Sequence, residues 1–133
     1  MFTLKEKELE GKRTILIVDD EEINGDILSS FLDDEFEIRR AFNGQECLDI
    51  IANEHEVIDL IVLDVMMPVM DGIEVLHILR KLEGYDLPPI IVLTANAITG
   101  MKEMYLNEGF DDYLSKPINT NELDRVVNKF FNK

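Results

Sequence analysis

Apolar residues in this chain fall into two patterns. Thr14–Val18, Asp59–Leu63 and Pro89–Leu93 are short continuous runs rich in Ile, Val and Leu, as expected of strands buried on both faces. Phe36–Phe42 carries Glu37, Arg39 and Arg40, and Phe110–Ser115 carries Asp111 and Asp112. Charged strands of that kind belong at sheet edges, where one side meets water. Between the runs the apolar spacing becomes helical. Ile23, Ile27, Leu28, Phe31 and Leu32 form one stripe, and Cys47, Leu48, Ile50 and Ile51 a second. Ile73, Leu76 and Leu79 form a third, Met101, Met104 and Tyr105 a fourth, and Leu123, Val126, Val127, Phe130 and Phe131 a fifth. Asn43 with Glu46, Asp71 with Glu74 and Asn119 with Glu122 read as helix-capping pairs. Gly109 fits a left-handed stop after the fourth helix.

Strand–helix alternation five times over predicts one parallel sheet with right-handed crossovers and helices on both faces. Placing the two polar strands at the edges gives the order 2-1-3-4-5, a single doubly wound α/β domain over residues 14–133. Met1–Arg13, charged and without apolar period, reads as a tail or linker. In such a sheet ligands bind beyond the carboxyl ends of the strands, where the chain reverses direction. Those ends carry Asp19 and Asp20 after strand one, Asp64 after strand three, Thr94 after strand four, and Ser115-Lys116-Pro117 after strand five.

Composition narrows the chemistry. Thirteen basic against twenty-eight acidic residues give a net charge of −15, which argues against direct binding of nucleic acid or of an anionic membrane surface. Cys47 is the single cysteine, so no intrachain disulfide or multi-thiolate metal site is expected. No run reaches the ~20 apolar residues of a bilayer span, and the N-terminus lacks a signal-peptide core; the expectation is a cytoplasmic domain. Within the crevice, two carboxylates ~5 Å apart repel by roughly 3 kcal/mol at an effective dielectric of ~20, so three acids there call for a cation. Oxygen ligands without His or Cys select a hard ion, magnesium first. Lys116 adds a second positive charge and Thr94 a hydrogen-bond donor, equipment for stabilising a transferring phosphoryl group. Asp64, on the central strand, is the expected nucleophile.

The segments ILIVDDEEIN, LIVLDVMMPVMDG, PIIVLTANA and DDYLSKPI, with spacings of 44, 30 and 22 residues between Asp20, Asp64, Thr94 and Lys116, resemble the receiver domain of two-component response regulators. The resemblance runs from Thr14 to about Phe131 and implies a flavodoxin-like (βα)5 fold. It implies that Asp64 takes a phosphoryl group from a phosphohistidine, with magnesium on Asp19, Asp20, Asp64 and the Met66 backbone carbonyl. It further implies that Thr94 and Lys116 contact the phosphoryl oxygens, that Thr94 and Tyr113 form a switch, and that the Lys116–Pro117 bond is cis. Partners implied are a histidine kinase or histidine phosphotransfer domain and a downstream protein effector, with the chain a monomer or a weak phosphorylation-dependent dimer. The stretch LTANAITGMKEMYLNEGFDDYLSKPI is similar to receivers of hybrid histidine kinases. The domain would then be a signalling unit catalysing only its own phosphorylation and dephosphorylation, either alone or as part of such a kinase. Seventeen residues after Lys116 leave room for one helix, so the signal is expected to leave by protein contact.

Simpler readings compete. Asp19 and Asp20 could merely favour the following helix N-terminus, and Tyr113 could be an edge-strand aromatic. A non-phosphorylated receiver-like interaction module is the alternative function. A dehalogenase-type phosphotransferase wants a second Asp at the position of Met66, and a flavin module wants a phosphate loop where Asp19-Asp20-Glu21-Glu22 stands. His55 and His77 are expected on solvent-facing helix positions without acidic partners, and the methionines and Cys47 in packing.

Overall fold

The computed structural model describes residues 12–95 and 100–131; most of the expected tail, and Asn96 to Thr99 of the LTANA stretch, lie outside the described residues. The elements are β1 (Arg13–Val18), α1 (Glu22–Leu32), β2 (Phe36–Ala41), α2 (Gly44–Glu54), β3 (Leu60–Asp64), α3 (Gly72–Arg80), β4 (Ile90–Thr94), α4 (Met101–Glu108), β5 (Asp112–Ser115) and α5 (Thr120–Phe131). All strand pairs are parallel and the sheet order is β2-β1-β3-β4-β5, as the alternation and the polar edge strands predict.

Strands β3 and β4 are entirely buried and sit one residue further along the chain than the apolar runs. The polar ends are retained because Asp64 pairs with Leu93 and Thr94 with Ser115 in the ladders. At the other end Asp59 leaves the strand and its carboxylate accepts the Thr14 N–H at 2.8 Å. Two cores flank the sheet. Leu16, Val18, Leu63, Val75, Leu76, Leu79 and Tyr105 fill the side covered by α2, α3 and α4, and Ile15, Ile17, Leu28, Leu123 and Val126 fill the side of α1 and α5.

The capping pairs hold with one twist. Asn43 and Asp71 accept the N–H of Glu46 and Glu74 at 2.8 and 2.9 Å. Asn119 accepts from Glu122 N–H at 3.2 Å, but the Glu122 carboxylate reaches elsewhere, as described below. Gly109 ends α4 at φ +124°. The α1 stripe is buried only in part: Leu28 and Leu32 are buried, whereas Ile23, Ile27 and Phe31 are 72%, 45% and 51% exposed. Gly25 takes the inward position between them because Arg40 lies across it, bonding Asp26 and the Glu22 carbonyl. His77, expected without an acidic partner, pairs with Glu108 at 2.7 Å. This joins α3 to α4 across 31 residues of sequence.

Edge strand β5 is anchored by charge. Asp112 is buried and ion-paired with Arg125 at 2.9 Å and Lys129 at 3.0 Å. Burial works against its charge, but bonds from Arg125, Lys129 and the Tyr113 N–H hold its pKa down at about 2. A depressed carboxylate stabilises the fold above its unfolded value near 4 and loses that contribution as pH falls toward 2. Asp112→Asn is expected to lower stability at neutral pH by ~1–2 kcal/mol, discounted for the half-exposed cations. It should also flatten the acid limb of the pH–stability curve; an unchanged limb in denaturant titrations would remove Asp112 as its source.

Candidate functional site: an acidic crevice at the strand ends

Four strands converge on the site. Asp19 and Asp20 follow β1, Asp64 ends β3, Thr94 ends β4, and Lys116 stands one residue past β5. Asp19, Asp64 and Thr94 are each 1% exposed, while Asp20 is open to solvent. Carboxylate oxygens of Asp19, Asp20 and Asp64 lie within 4.8 Å of one another. One oxygen of each buried acid is used locally: Asp19 Oδ1 accepts the Glu21 N–H at 2.9 Å and Asp64 Oδ1 the Met66 N–H at 3.2 Å. The other two, Asp19 Oδ2 and Asp64 Oδ2, are buried without a hydrogen-bond partner among the described residues. Lys116 Nζ lies 3.3 and 3.1 Å from them, close enough for charge attraction but not aligned for a hydrogen bond.

The electrostatics follow from this packing. Burial first, and Asp19 second, push the Asp64 pKa up to about 6 against the pull of Lys116 and the Met66 N–H. For Lys116 burial favours the neutral amine, but Asp64 and Asp19 outweigh it and raise the pKa above its ordinary value. Open buried carboxylate oxygens beside a third acid, with no nitrogen or sulfur donor in the set, fit a hard divalent cation such as magnesium. Cys47 stands apart from this chemistry, its buried thiol pushed up to about 12.

The loops that hold these groups are built from specific contacts. The Lys116–Pro117 bond is cis, and the Glu122 carboxylate accepts the Ser115 N–H at 2.6 Å and the Ser115 hydroxyl at 3.0 Å, fixing the chain just before Lys116. After Asp64 the loop turns through Val69 at φ +69°, a conformation uncommon for a β-branched residue. The loop then folds back so that the Gly72 N–H donates to the Val65 carbonyl at 3.0 Å. A Cβ on Gly72 would stand 2.4 Å from the Asp64 carbonyl oxygen and 2.9 Å from Val65 Cα. Both are backbone atoms of the strand end, so neither can swing aside. Gly72→Ala is expected to cost about 2 kcal/mol by overpacking against the Asp64 carbonyl. A melting temperature within about one degree of wild type would show that the loop has room.

Tyr113 is half-buried on β5, with Lys102 Nζ 4.8 Å and the Arg125 guanidinium 5.6 Å from its ring centre. A second tyrosine, absent from the sequence-derived set, reaches the site from α4. The buried Tyr105 hydroxyl lies 3.1 Å from Thr94 Oγ1. The only sequence signal was a hydroxyl-bearing ring on an otherwise apolar stripe. The set Asp19, Asp20, Asp64 and Lys116 is thus brought together as the strand ends require, with Thr94 on the adjoining strand end and Tyr113 on the edge strand, packed against the core on the α4 side.

This geometry has close relatives. The chain is 39% identical over 124 residues to hybrid signal transduction histidine kinase M of Dictyostelium discoideum, an alignment covering 90% of this chain and 5% of that protein. It therefore spans only a small part of such relatives. Among solved structures, the receiver domain of the Francisella response regulator 1452 superposes with a TM-score of 0.77 at 37% identity, covering 91% of this chain and 98% of that one. The receiver domain of Saccharomyces cerevisiae Ssk1, solved with the histidine phosphotransfer protein Ypd1, gives 0.78 at 32% identity, covering 90% and 88%. Residues 15–128 match the response regulator receiver domain, and the chain belongs to that family.

Proposed function

We propose that this receiver takes a phosphoryl group from a phosphohistidine, of a histidine kinase or a histidine phosphotransfer domain, onto Asp64. The observation that carries the reading is Asp64 Oδ2, buried, open and 3.1 Å from the Lys116 ammonium. In the transfer this carboxylate oxygen bonds to phosphorus while the phosphorus–nitrogen bond breaks and the imidazole leaves with its electron pair. Lys116 faces the incoming phosphoryl oxygens, and the Thr94 hydroxyl donates a hydrogen bond to one of them. Asp19, Asp20, Asp64 and the Met66 carbonyl would hold magnesium, which when bound would supply positive charge beside the transferring group. The resulting acyl phosphate brings roughly −1.5 to −2 charge and three acceptor oxygens. Thr94 and Tyr113 then shift, and the face of α4, β5 and α5 presents a changed surface to a protein effector. Residues 13–133 form this unit, since Arg13 opens β1 and pairs with Phe36, one residue before the sequence-derived boundary, and residues 1–12 are a tail or linker. The chain acts in the cytoplasm, alone or within a hybrid kinase, and its only catalysis is its own phosphorylation and dephosphorylation.

The donor protein has an apolar place to dock. Ile23, Ile27 and Phe31 of α1 are exposed, and a groove lined by Ile27, Phe31, Pro117 and Ile118 opens beside Lys116. An amphipathic helix laid on that face would carry its phosphohistidine toward Asp64. The test of the reading is incubation with magnesium and acetyl phosphate followed by peptide mapping. One phosphoryl group on the peptide containing Asp64 is expected; modification at another residue, or none, would overturn it.

A further inference from the structure

Tyr105, whose hydroxyl meets Thr94, has no part in the transfer just described. Thr94 Oγ1 and the Tyr105 hydroxyl are 3.1 Å apart, and both residues are almost wholly enclosed, at 1% and 3% exposure. Tyr105 is fixed by its ring. It lies in the core on the α2–α4 side of the sheet and meets Phe110 edge-on, with centroids 6.1 Å apart and planes at 85°. Thr94 is β-branched, so its side chain changes direction by jumping between discrete rotamers rather than by bending. Either hydroxyl can be the donor, and in both cases the contact holds Thr94 Oγ1 in one rotamer.

We infer that Tyr105 is a positioning residue that holds Thr94 in its resting orientation, so that phosphorylation must break this hydroxyl pair before Thr94 can serve the phosphoryl group. The inference rests on the phosphoacceptor reading of Asp64 and adds a restraint to it. The rigid ring does not follow Thr94 across the strand end, and a buried hydroxyl that loses its partner raises the free energy of the activated state. Because Tyr105 belongs to α4, the loss is felt directly on that helix. This route is distinct from Tyr113, whose ring is half-buried with Lys102 and Arg125 against it. Release of the pair thus sets how readily the domain switches, through an atom that touches neither metal nor phosphoryl group.

Tyr105→Phe removes the hydroxyl and keeps the ring, so the core is preserved. Beryllofluoride with magnesium is the probe, titrated by calorimetry against wild type and variant, alongside thermal melts of the metal-free proteins. The variant is expected to bind about threefold to tenfold more tightly, the range that one net hydrogen bond converts to, while its metal-free melting temperature is unchanged or lower. Tighter binding from a fold no more stable is a result that a purely structural tyrosine would not give. In the metal-free variant the Thr94 χ1 couplings should also report a second rotamer. Affinity within twofold of wild type, or weaker, overturns the restraint while leaving Asp64 as acceptor. Failure of both proteins to bind overturns the acceptor reading and the restraint with it.

Discussion

Asp64→Asn is expected to abolish phosphoryl transfer while making the metal-free fold more stable. The two effects have one origin. The carboxylate proposed as nucleophile is buried beside Asp19, and its pKa stands at about 6 rather than 3.8. A folded-state value above the unfolded one means that the native protein holds the extra proton between about pH 4 and 6. Its stability therefore falls as pH rises through that window. At about pH 8 the charged form carries the whole penalty. An amide at this position removes the charge but also gives up the attraction of Lys116, so the net gain should be ~1–2 kcal/mol, less than the shift alone would convert to. Chemical denaturation from about pH 4 to 8 should show wild type losing stability relative to the variant as pH rises. Parallel curves would mean that Asp64 is not under strain, and an undiminished phosphoryl adduct on the variant would remove it as acceptor.

The strain at Asp64 was legible in advance because it follows from topology. A continuous apolar run ending in an acid, on the central strand of an alternating α/β chain, can only point that acid into the crevice. Strand order was equally legible, since Glu37, Arg39, Asp111 and Asp112 could not occupy interior strands. Contacts made by residues distant in sequence were hidden. Asp71 read as a cap, but nothing in the spacing marked Gly72 beside it, where the loop approaches the Asp64 carbonyl so closely that a Cβ would stand 2.4 Å away. Glu122 read as a capping partner, yet its carboxylate holds Ser115 at the base of the Lys116 loop. Tyr105 read as core, which it is, but its hydroxyl meets Thr94. In each case the period fixes the face a residue occupies, whereas its polar atom chooses a partner that only the folded chain supplies. The α1 stripe is the converse case. Helical period drew Ile23, Ile27 and Phe31 together with Leu28 and Leu32, but a helix on one side of a sheet buries only part of so wide a stripe, and the remainder stays exposed.

Lys116→Met is expected to have the largest effect on the resting protein. The ammonium lies 3.3 and 3.1 Å from the open oxygens of Asp19 and Asp64, and both carboxyl groups are 1% exposed. Without it the two acids repel by about 3 kcal/mol at their separation, taking an effective dielectric of ~20. Leaving buried charge unpaired costs a similar amount. Protonation of Asp64 relieves most of this, which sets an upper limit and a direction. At about pH 8 the metal-free variant should be ~2–3 kcal/mol less stable than wild type, and the deficit should close as pH falls through a window that starts above the wild-type value of about 6. Magnesium should restore stability more in the variant than in wild type, because it takes over the charge that Lys116 supplied. Phosphoryl transfer should nonetheless fall by about 10²–10³-fold, the usual loss when a preorganised group facing developing charge is removed. Urea titrations at both pH values, with and without magnesium, give the stability terms, and acetyl phosphate labelling gives the rate. A variant as stable as wild type at about pH 8 without metal would show that the two carboxylates are already relieved by solvent. The ammonium would then be dispensable to the fold.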